Sequence, residues 1–261
     1  MQTRGITLIE LLVGMAILGV LVLAFTQFFT STLQVTGEFE QRNELLAEGQ
    51  LAQQLVVSRL QEAWYVYPEG SSVNLTQPAA WQITNPASGS TSWTVGPIFV
   101  AGILPPVSVG AACAPADPTR TTGCYRFIAF YPIARAEYVA NTAGDLLRRL
   151  LPDAANPAAW VLMQYSGFLG SGAITRGSTA PTAGALATMG GVRVDLLADY
   201  ITPNSTLFEV VEVTDVPRPT QQVTVRLELQ RVARGRTITL GSPGAALNTV
   251  VLPRNQGVLA P

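Results

Sequence analysis

Gly5-Ile6-Thr7-Leu8-Ile9-Glu10-Leu11-Leu12-Val13-Gly14-Met15-Ala16-Ile17-Leu18-Gly19-Val20-Leu21-Val22-Leu23-Ala24-Phe25-Thr26-Gln27-Phe28-Phe29 decides how this chain is read. From Gly5 to Gly37 it carries one charged residue, Glu10. The apolar run is long enough to cross a bilayer as a helix, which takes roughly 20 residues. A carboxylate inside such a segment costs about 2.5 to 3.5 kcal/mol on insertion scales, so its presence points to a role.

Three readings fit the N-terminus. A secretory signal peptide needs a basic n-region, an apolar core and a small-x-small cut site. Arg4 supplies the charge, but Glu10 interrupts the core and no Ala-x-Ala follows. A plain single-pass anchor explains the length and places Arg4 on the cytoplasmic side, but it leaves Glu10 without a purpose. The third reading is a resemblance. Gly5-Ile6-Thr7-Leu8-Ile9-Glu10-Leu11-Leu12 is similar to the class III signal of type IV pilins and type II secretion pseudopilins. That pattern has a short basic leader, Gly before the cut, an apolar first mature residue and Glu as the fifth. Here the leader is Met1 to Gly5, the first mature residue Ile6 and the fifth Glu10, with Thr7 between them in the assembly segment.

The resemblance implies cleavage after Gly5 by prepilin peptidase on the cytoplasmic side, and methylation of the new α-amine. It also implies lateral exit from the bilayer into a filament of other pilin or pseudopilin subunits, on an inner-membrane assembly platform. The physics of the positions agrees. Gly5 has no side chain to hinder an extended backbone in a protease cleft. Inside an apolar bundle Glu10 needs a cation, and the α-amine of Ile6, on the same or a neighbouring chain, would fix axial register, because either charge left alone costs several kcal/mol. All 16 basic side chains are Arg. The α-amine that cleavage frees on Ile6 is therefore, before its methylation, the only primary amine expected in the chain.

Two positions depart from the commonest pattern. The first mature residue is Ile rather than Phe, and Gln27 stands where major pilins usually carry a helix-kinking Pro. Pro inside a helix costs about 3 kcal/mol, so this helix should be more continuous, as in minor pilins and pseudopilins.

Composition limits the chemistry. The 261 residues are 48% hydrophobic and 13% charged, with a net charge of −1. A near-zero charge argues against a dedicated nucleic-acid surface. The absence of His excludes Ser-His-Asp and Cys-His catalysis and imidazole zinc sites. The absence of Lys excludes Schiff-base and P-loop chemistry. No cofactor and no metal are expected, and the chain is read as a non-enzyme. Cys113 and Cys124 lie close together outside the apolar run and read as a disulfide, worth about 2 to 3 kcal/mol. The competing reading is two free thiols in a reducing compartment.

One long helix is expected over 6–65. Its 6–29 part is the transmembrane and assembly segment, and its 30–65 part is amphipathic. Leu45, Ala52, Val56, Leu60 and Ala63 recur near a 3.6 period, with Leu51 and Leu55 widening the stripe, so this face should lie against a sheet. Gly37, after Thr36, and Gly49 are weak points of up to about 1 kcal/mol each. Pro68-Glu69-Gly70 ends the helix, and 66–261 forms a β-rich globular domain. Strands are expected within Ser92 to Leu104, broken at Gly96-Pro97, and at Cys124 to Tyr131, Ala159 to Tyr165 and Leu207 to Val216. Gln221 to Ala233, Arg236 to Leu240 after a Gly235 turn, and Thr249 to Asn255 complete the set. Asn141 to Leu151 reads as a short helix capped by Asn141 or Thr142 and stopped by Pro152, with Arg148-Arg149 balancing its dipole. Residues 166–191 read as a Gly/Ala/Ser/Thr loop.

Helix then antiparallel sheet is the α+β layout of the pilin fold. Arg193 to Ile201 with the following strand, and Val250 to Asn255, resemble the W-type minor pilins and J-type minor pseudopilins. The resemblance implies a single-pass inner-membrane protein, surrounded by lipid before assembly, with its globular part outside and later in a pilus or pseudopilus. The expected role is that of a minor pilin in assembly initiation, adhesion, motility or DNA uptake. The alternatives are a type II secretion minor pseudopilin and a membrane-anchored binding or enzymatic domain. Arg226, Arg231, Arg234 and Arg236 allow a weak DNA reading, but the low net charge favours a solvated hairpin. Asp195, Asp199, Glu209, Glu212 and Asp215 could form a carboxylate pair or calcium site, but no loop has the EF-hand pattern and surface acids are expected.

Overall fold

The computed structural model describes residues 8–76, 78–170, 186, 189–214, 220–241 and 247–253, with the backbone alone at Glu10 and Thr220. Helix α1 runs Leu8–Glu62 without interruption through Gln27, Gly37 and Gly49. No proline breaks its ladder, and isolated glycines weaken a helix without ending it. Two compact units succeed each other along the chain, residues 1–44 and 45–261.

The second unit is built on antiparallel sheets. Strands β1 (Tyr65–Val66), β4 (Val100–Leu104), β5 (Arg126–Ala134), β6 (Trp160–Phe168), β7 (Gly190–Ile201), β10 (Leu229–Ala233) and β11 (Arg236–Leu240) form a seven-stranded sheet in that order. Strands β12 (Asn248–Val251), β9 (Thr220–Arg226) and β8 (Phe208–Val213) form a three-stranded sheet. A short ribbon pairs β2 (Ser72–Asn74) with β3 (Ser92–Thr94). A long N-terminal apolar helix followed by an antiparallel sheet domain is the expected α+β, pilin-like layout.

The amphipathic stripe packs as its period requires. Leu45, Ala52, Val56, Leu60 and Ala63 are all buried, in one core with sheet residues such as Phe127, Tyr165 and Val225. Leu55 is half-buried, whereas Leu51 stays in solvent at 68% exposure, so the stripe is narrower than its sequence suggests. Gln53 occupies a buried position instead and donates from Nε2 to Thr249 Oγ1 at 3.0 Å. Gly49 is a point of close approach rather than a weak point. A Cβ there would stand 2.9 Å from Leu229 Cδ1 and 3.2 Å from Leu247 Cδ1. Gly49→Ala should be near neutral, because the gain in helix propensity, about 1 kcal/mol, offsets a small shift of two leucine ends. Gly49→Leu should cost about 1 to 3 kcal/mol by overpacking, read from thermal unfolding.

Three segments differ from the sequence reading. Gln221 to Ala233 is two strands in two sheets. β9 pairs with β8 and β12, and the chain crosses at Leu227-Glu228 into β10, which pairs with β7 and β11. Val223, Val225, Leu227 and Leu229 are all fully buried, so the period-2 alternation runs unbroken across the switch and hides it. The helix expected over Asn141–Leu151 is instead α2, Arg135–Thr142. It follows β5 directly, and Asn141 and Thr142 lie at its end, bonding back to Glu137 O and Tyr138 O. Arg148 and Arg149 therefore lie in a turn region and balance no dipole. Within the segment read as a loop over 166–191, β6 continues to Phe168 and β7 starts at Gly190. Its residues 171–185, 187 and 188 lie outside the described residues, as do Asn255 of the expected last strand and Val216 of the expected β8 strand.

The turn between β10 and β11 is Arg234-Gly235, with φ of 51° and 76°. Two central residues with positive φ make the type I′ geometry that matches strand twist.

Candidate functional site

The first unit presents its apolar side chains outward. Among the described residues of 8–33, every large apolar side chain is exposed, Leu8 at 82% and Phe28 at 68%. Burying each would be worth about 1.5 to 3 kcal/mol, so such a surface demands lipid or neighbouring helices. α1 is the one helix among the described residues long and apolar enough to cross a membrane. The hydroxyls of Thr26, Thr30, Thr32 and Thr36 donate to carbonyls one turn back, which removes four polar groups from competition for outside partners. Glu10 lies within α1; Gly5, Ile6 and Thr7 lie outside the described residues.

Cys113 and Cys124 form a disulfide with Cα atoms 4.8 Å apart. The loop that it closes is tightly packed: a Cβ on Gly123 would meet Ala111 O at 2.1 Å, and one on Gly190, at the start of β7, would meet Pro115 O at 2.4 Å. Asp117 accepts from the N–H of Thr119 at 2.9 Å within it. Reduction should destabilise the second unit by about 2 to 3 kcal/mol. At roughly 2 to 4 °C per kcal/mol for a domain of this size, thermal melting with and without reductant should show the loss.

A polar network that the sequence does not announce lies at the far end of β7. Arg135, the first residue of α2, is 4% exposed and donates from Nε to both carboxylate oxygens of Asp199, at 2.8 and 3.0 Å. Its Nη2 donates to Leu151 O at 2.9 Å. Glu48 of α1 accepts from the backbone N–H of Asp199. β7 carries one extra residue here, since Trp160 pairs with Ile201 but Leu162 pairs with Ala198, and Tyr200 takes φ of 57°. Such a bulge turns a side chain out of the regular alternation. The Tyr200 hydroxyl donates to Asp153 Oδ2 at 3.0 Å, and the guanidiniums of Arg135 and Arg231 stand 4.8 and 4.7 Å from its ring centroid. Burial and the bond to Asp153 push the Tyr200 hydroxyl up to about 12. Burial works to raise the Asp153 carboxyl, but bonds from Asn156, Tyr200 and the N–H of Ala155 outweigh it and hold it below the usual carboxylate range. Asn156 in turn makes both backbone bonds to Val232, at 2.9 and 2.7 Å.

The model of the prokaryotic N-terminal methylation motif family matches residues 1–26. This chain carries a type IV pilin-like prepilin motif. That motif supports a precursor of a type IV pilin or pseudopilin, and it implies processing by prepilin peptidase and assembly with other pilin subunits. Motif and apolar helix together fit a single-pass, membrane-anchored pilin. No curated protein and no solved structure matches the chain.

The two charge clusters of this pilin-like chain come apart in the fold. Asp199 is consumed by Arg135, Asp195 lies 3.6 Å from Arg193 across exposed surface, and Glu209 pairs with Arg226. Glu212 projects from β8, and Asp215 lies outside the described residues. Among the described residues no group of three His, Cys, Asp or Glu could hold a metal ion. Arg226 belongs to the three-stranded sheet and Arg231 leans on Tyr200, which leaves Arg234 and Arg236 at the hairpin turn. The four arginines therefore do not present one phosphate-binding face.

Proposed function

We propose that this chain is a minor pilin, cut after Gly5 and assembled into or at the tip of a type IV pilus, where it acts by assembly and not by catalysis. The N-terminal motif carries the reading. The Pro-free continuous helix supports a minor rather than a major subunit. The disulfide supports an oxidising location for the globular part, outside the cytoplasmic membrane with the leader inside. In this reading Gly5 and Ile6 serve processing, Glu10 with Thr7 serves assembly register, and the exposed helix face packs into the bundle.

A minor pseudopilin of type II secretion is the second reading, favoured by the same Pro-free stalk. The test common to both is intact mass with amine labelling of protein from its native membrane. The expected result is loss of Met1 to Gly5, one added methyl group and a single reactive amine at Ile6. A full-length chain in cells with active prepilin peptidase would overturn both readings. Recovery of the chain from sheared surface pili would support the first reading over the second.

A further inference from the structure

The second unit has an entry end and a far end. Glu48, close behind Leu45 where the unit begins, accepts from the N–H of Asp199, and Asp199 holds Arg135 just past the end of β5. Further along the chain, the N–H of Trp64 donates to Ile103 O at 2.7 Å, and Ile103 pairs with Phe127 near the start of β5. The chain therefore enters the second unit at the Ala134 end of β5.

That end carries an excursion. Between Ala134 and Trp160, which pair with each other, the chain runs through α2 and then Leu146-Leu147-Arg148-Arg149-Leu150-Leu151. The tip is apolar and in solvent: Leu147 is 97% exposed, Leu146 84% and Leu151 66%. It is also held in place. Arg135 Nη2 donates to Leu151 O, Tyr138 donates to Arg148 O at 3.0 Å, and the N–H of Leu147 donates to Asp145 Oδ1 at 3.0 Å. A tip ordered in advance loses little freedom when a partner arrives. Its surroundings are apolar too. A pocket of about 300 Å³ opens between α2 and the return through Pro152 and Pro157. A groove of about 360 Å³ opens beside Trp81 and Tyr138, whose rings meet edge to face at 5.9 Å.

Few charges accompany these leucines. From Ala136 to Ala159 the charged side chains are Glu137, Asp145, Arg148, Arg149 and Asp153. Asp153 is taken up by Tyr200 and Asn156, and Glu137 is half-buried in the first turn of α2. Asp145 stands 4.0 Å from Arg148, both in solvent, a contact worth little that a better anion displaces. In the groove, Asp195 lies 3.6 Å from Arg193. The tip thus offers apolar bulk at its crest and two exposed arginines directly behind it.

The form of this surface selects its partner. A protein would need a matching hollow for a convex crest, whereas a bilayer interface yields to it. Leucines enter the acyl boundary, and arginines lay their stems along it while their heads reach phosphates. The position agrees, since an uncharged run of membrane length, ending at Gly37, leads into this same end. We propose that the Leu146–Leu151 tip docks on an anionic lipid surface, with Leu146 and Leu147 among acyl chains and Arg148 and Arg149 on headgroup phosphates. The contact holds the second unit at the membrane before assembly. This inference rests on the reading of the chain as membrane-anchored.

The test places a bimane label on a single new cysteine of the full-length chain, in vesicles containing brominated lipid that quenches the label on contact. The native cysteines are paired, so the new thiol alone takes the label. Phe25→Cys reports the anchor and Leu147→Cys the tip. Val107→Cys reports the far end, since Val107 is 87% exposed just beyond Leu104, which pairs with Arg126 at the start of β5. In equal parts of phosphatidylglycerol and phosphatidylcholine, the labels at Phe25 and Leu147 should be quenched and the label at Val107 spared. Tip contact should fall about ten-fold in phosphatidylcholine alone, at high salt, and when R148E/R149E is added to Leu147→Cys. Quenching at Phe25 with none at Leu147 beyond that at Val107 overturns the docking and leaves the anchor standing. Quenching at Leu147 without Phe25 overturns the anchor reading, and quenching at neither overturns both. Tip quenching that ignores lipid charge overturns the anionic surface. Crosslinking of Leu147→Cys to another protein in native membranes, without quenching in vesicles, assigns the tip to a protein partner and overturns the proposal.

Discussion

Arg135→Met should destabilise the second unit by about 3 to 5 kcal/mol, because it strands the Asp199 carboxylate without its cation inside the protein. For a domain near 200 residues that is a fall in melting temperature of roughly 6 to 20 °C. Asp199 is 5% exposed, so water cannot take over the role of the guanidinium. The lesion is local in origin but wide in reach. Arg135 opens α2, touches Leu151 O and lies against Tyr200, so its loss frees both ends of the excursion that carries the leucine tip. The double variant R135M/D199N separates charge from shape. Replacing a buried ion pair by neutral groups of similar volume is often close to neutral, so most of the loss should return. A single variant that melts within about 1 kcal/mol of the parent would show that the pair is solvated and that the bulge at Tyr200 holds itself. An acid titration adds a signed check. Asp153 titrates below the ordinary carboxylate range, so its contribution is present above the unfolded value and is lost as pH falls through its folded value.

Much of this architecture can be read from residue spacing, and the exceptions have physical reasons. The first half of α1 announces itself by unbroken apolar composition, and the second by the Leu45, Ala52, Val56, Leu60 stripe, because helix burial follows a fixed angular period. Leu51 departs from the expected stripe and stays exposed beside the buried Ala52, because spacing alone does not say how wide an arc of a helix its partner covers. The Leu227 crossing was invisible because both sheets bury side chains of the same parity, so the alternation never slips. The helix expected over Asn141–Leu151 lies one element too late because Asn141, Thr142 and Pro152 imitate cap and stop signals, whereas the anchoring contact is Arg135 with a carboxylate 64 positions away. No local pattern encodes that distance. The candidate site divides the same way. The prepilin motif is contiguous in sequence and legible as a string, while the groove beside Trp81 and Tyr138 exists only after β6, β7 and α2 have met.

Glu10→Ala should leave cleavage after Gly5 intact and reduce incorporation into filaments by a factor of roughly 10² to 10³. The magnitude follows from the charge left behind. On the proposed processing, cleavage would free an α-amine at Ile6, and packing into an apolar bundle would remove water from it. Without a carboxylate nearby, an unpaired buried charge costs about 3 to 5 kcal/mol, and each 1.4 kcal/mol is a factor of ten. Gly5→Leu should act one step earlier: a branched side chain at the cut leaves the leader in place, no α-amine forms at Ile6, and assembly stops although Glu10 is intact. The two variants are distinguished by mass, full-length for Gly5→Leu and processed for Glu10→Ala. The absence of Lys makes the amine itself a reporter. In the processed parent chain the Ile6 amine should resist labelling within filaments and react once they are dissociated in detergent. In Glu10→Ala it should react in the membrane throughout, because the chain never leaves the lipid for the bundle. Normal filament incorporation of Glu10→Ala would mean that the carboxylate is not the partner of the amine, and that register is set by the apolar face and the globular contacts alone.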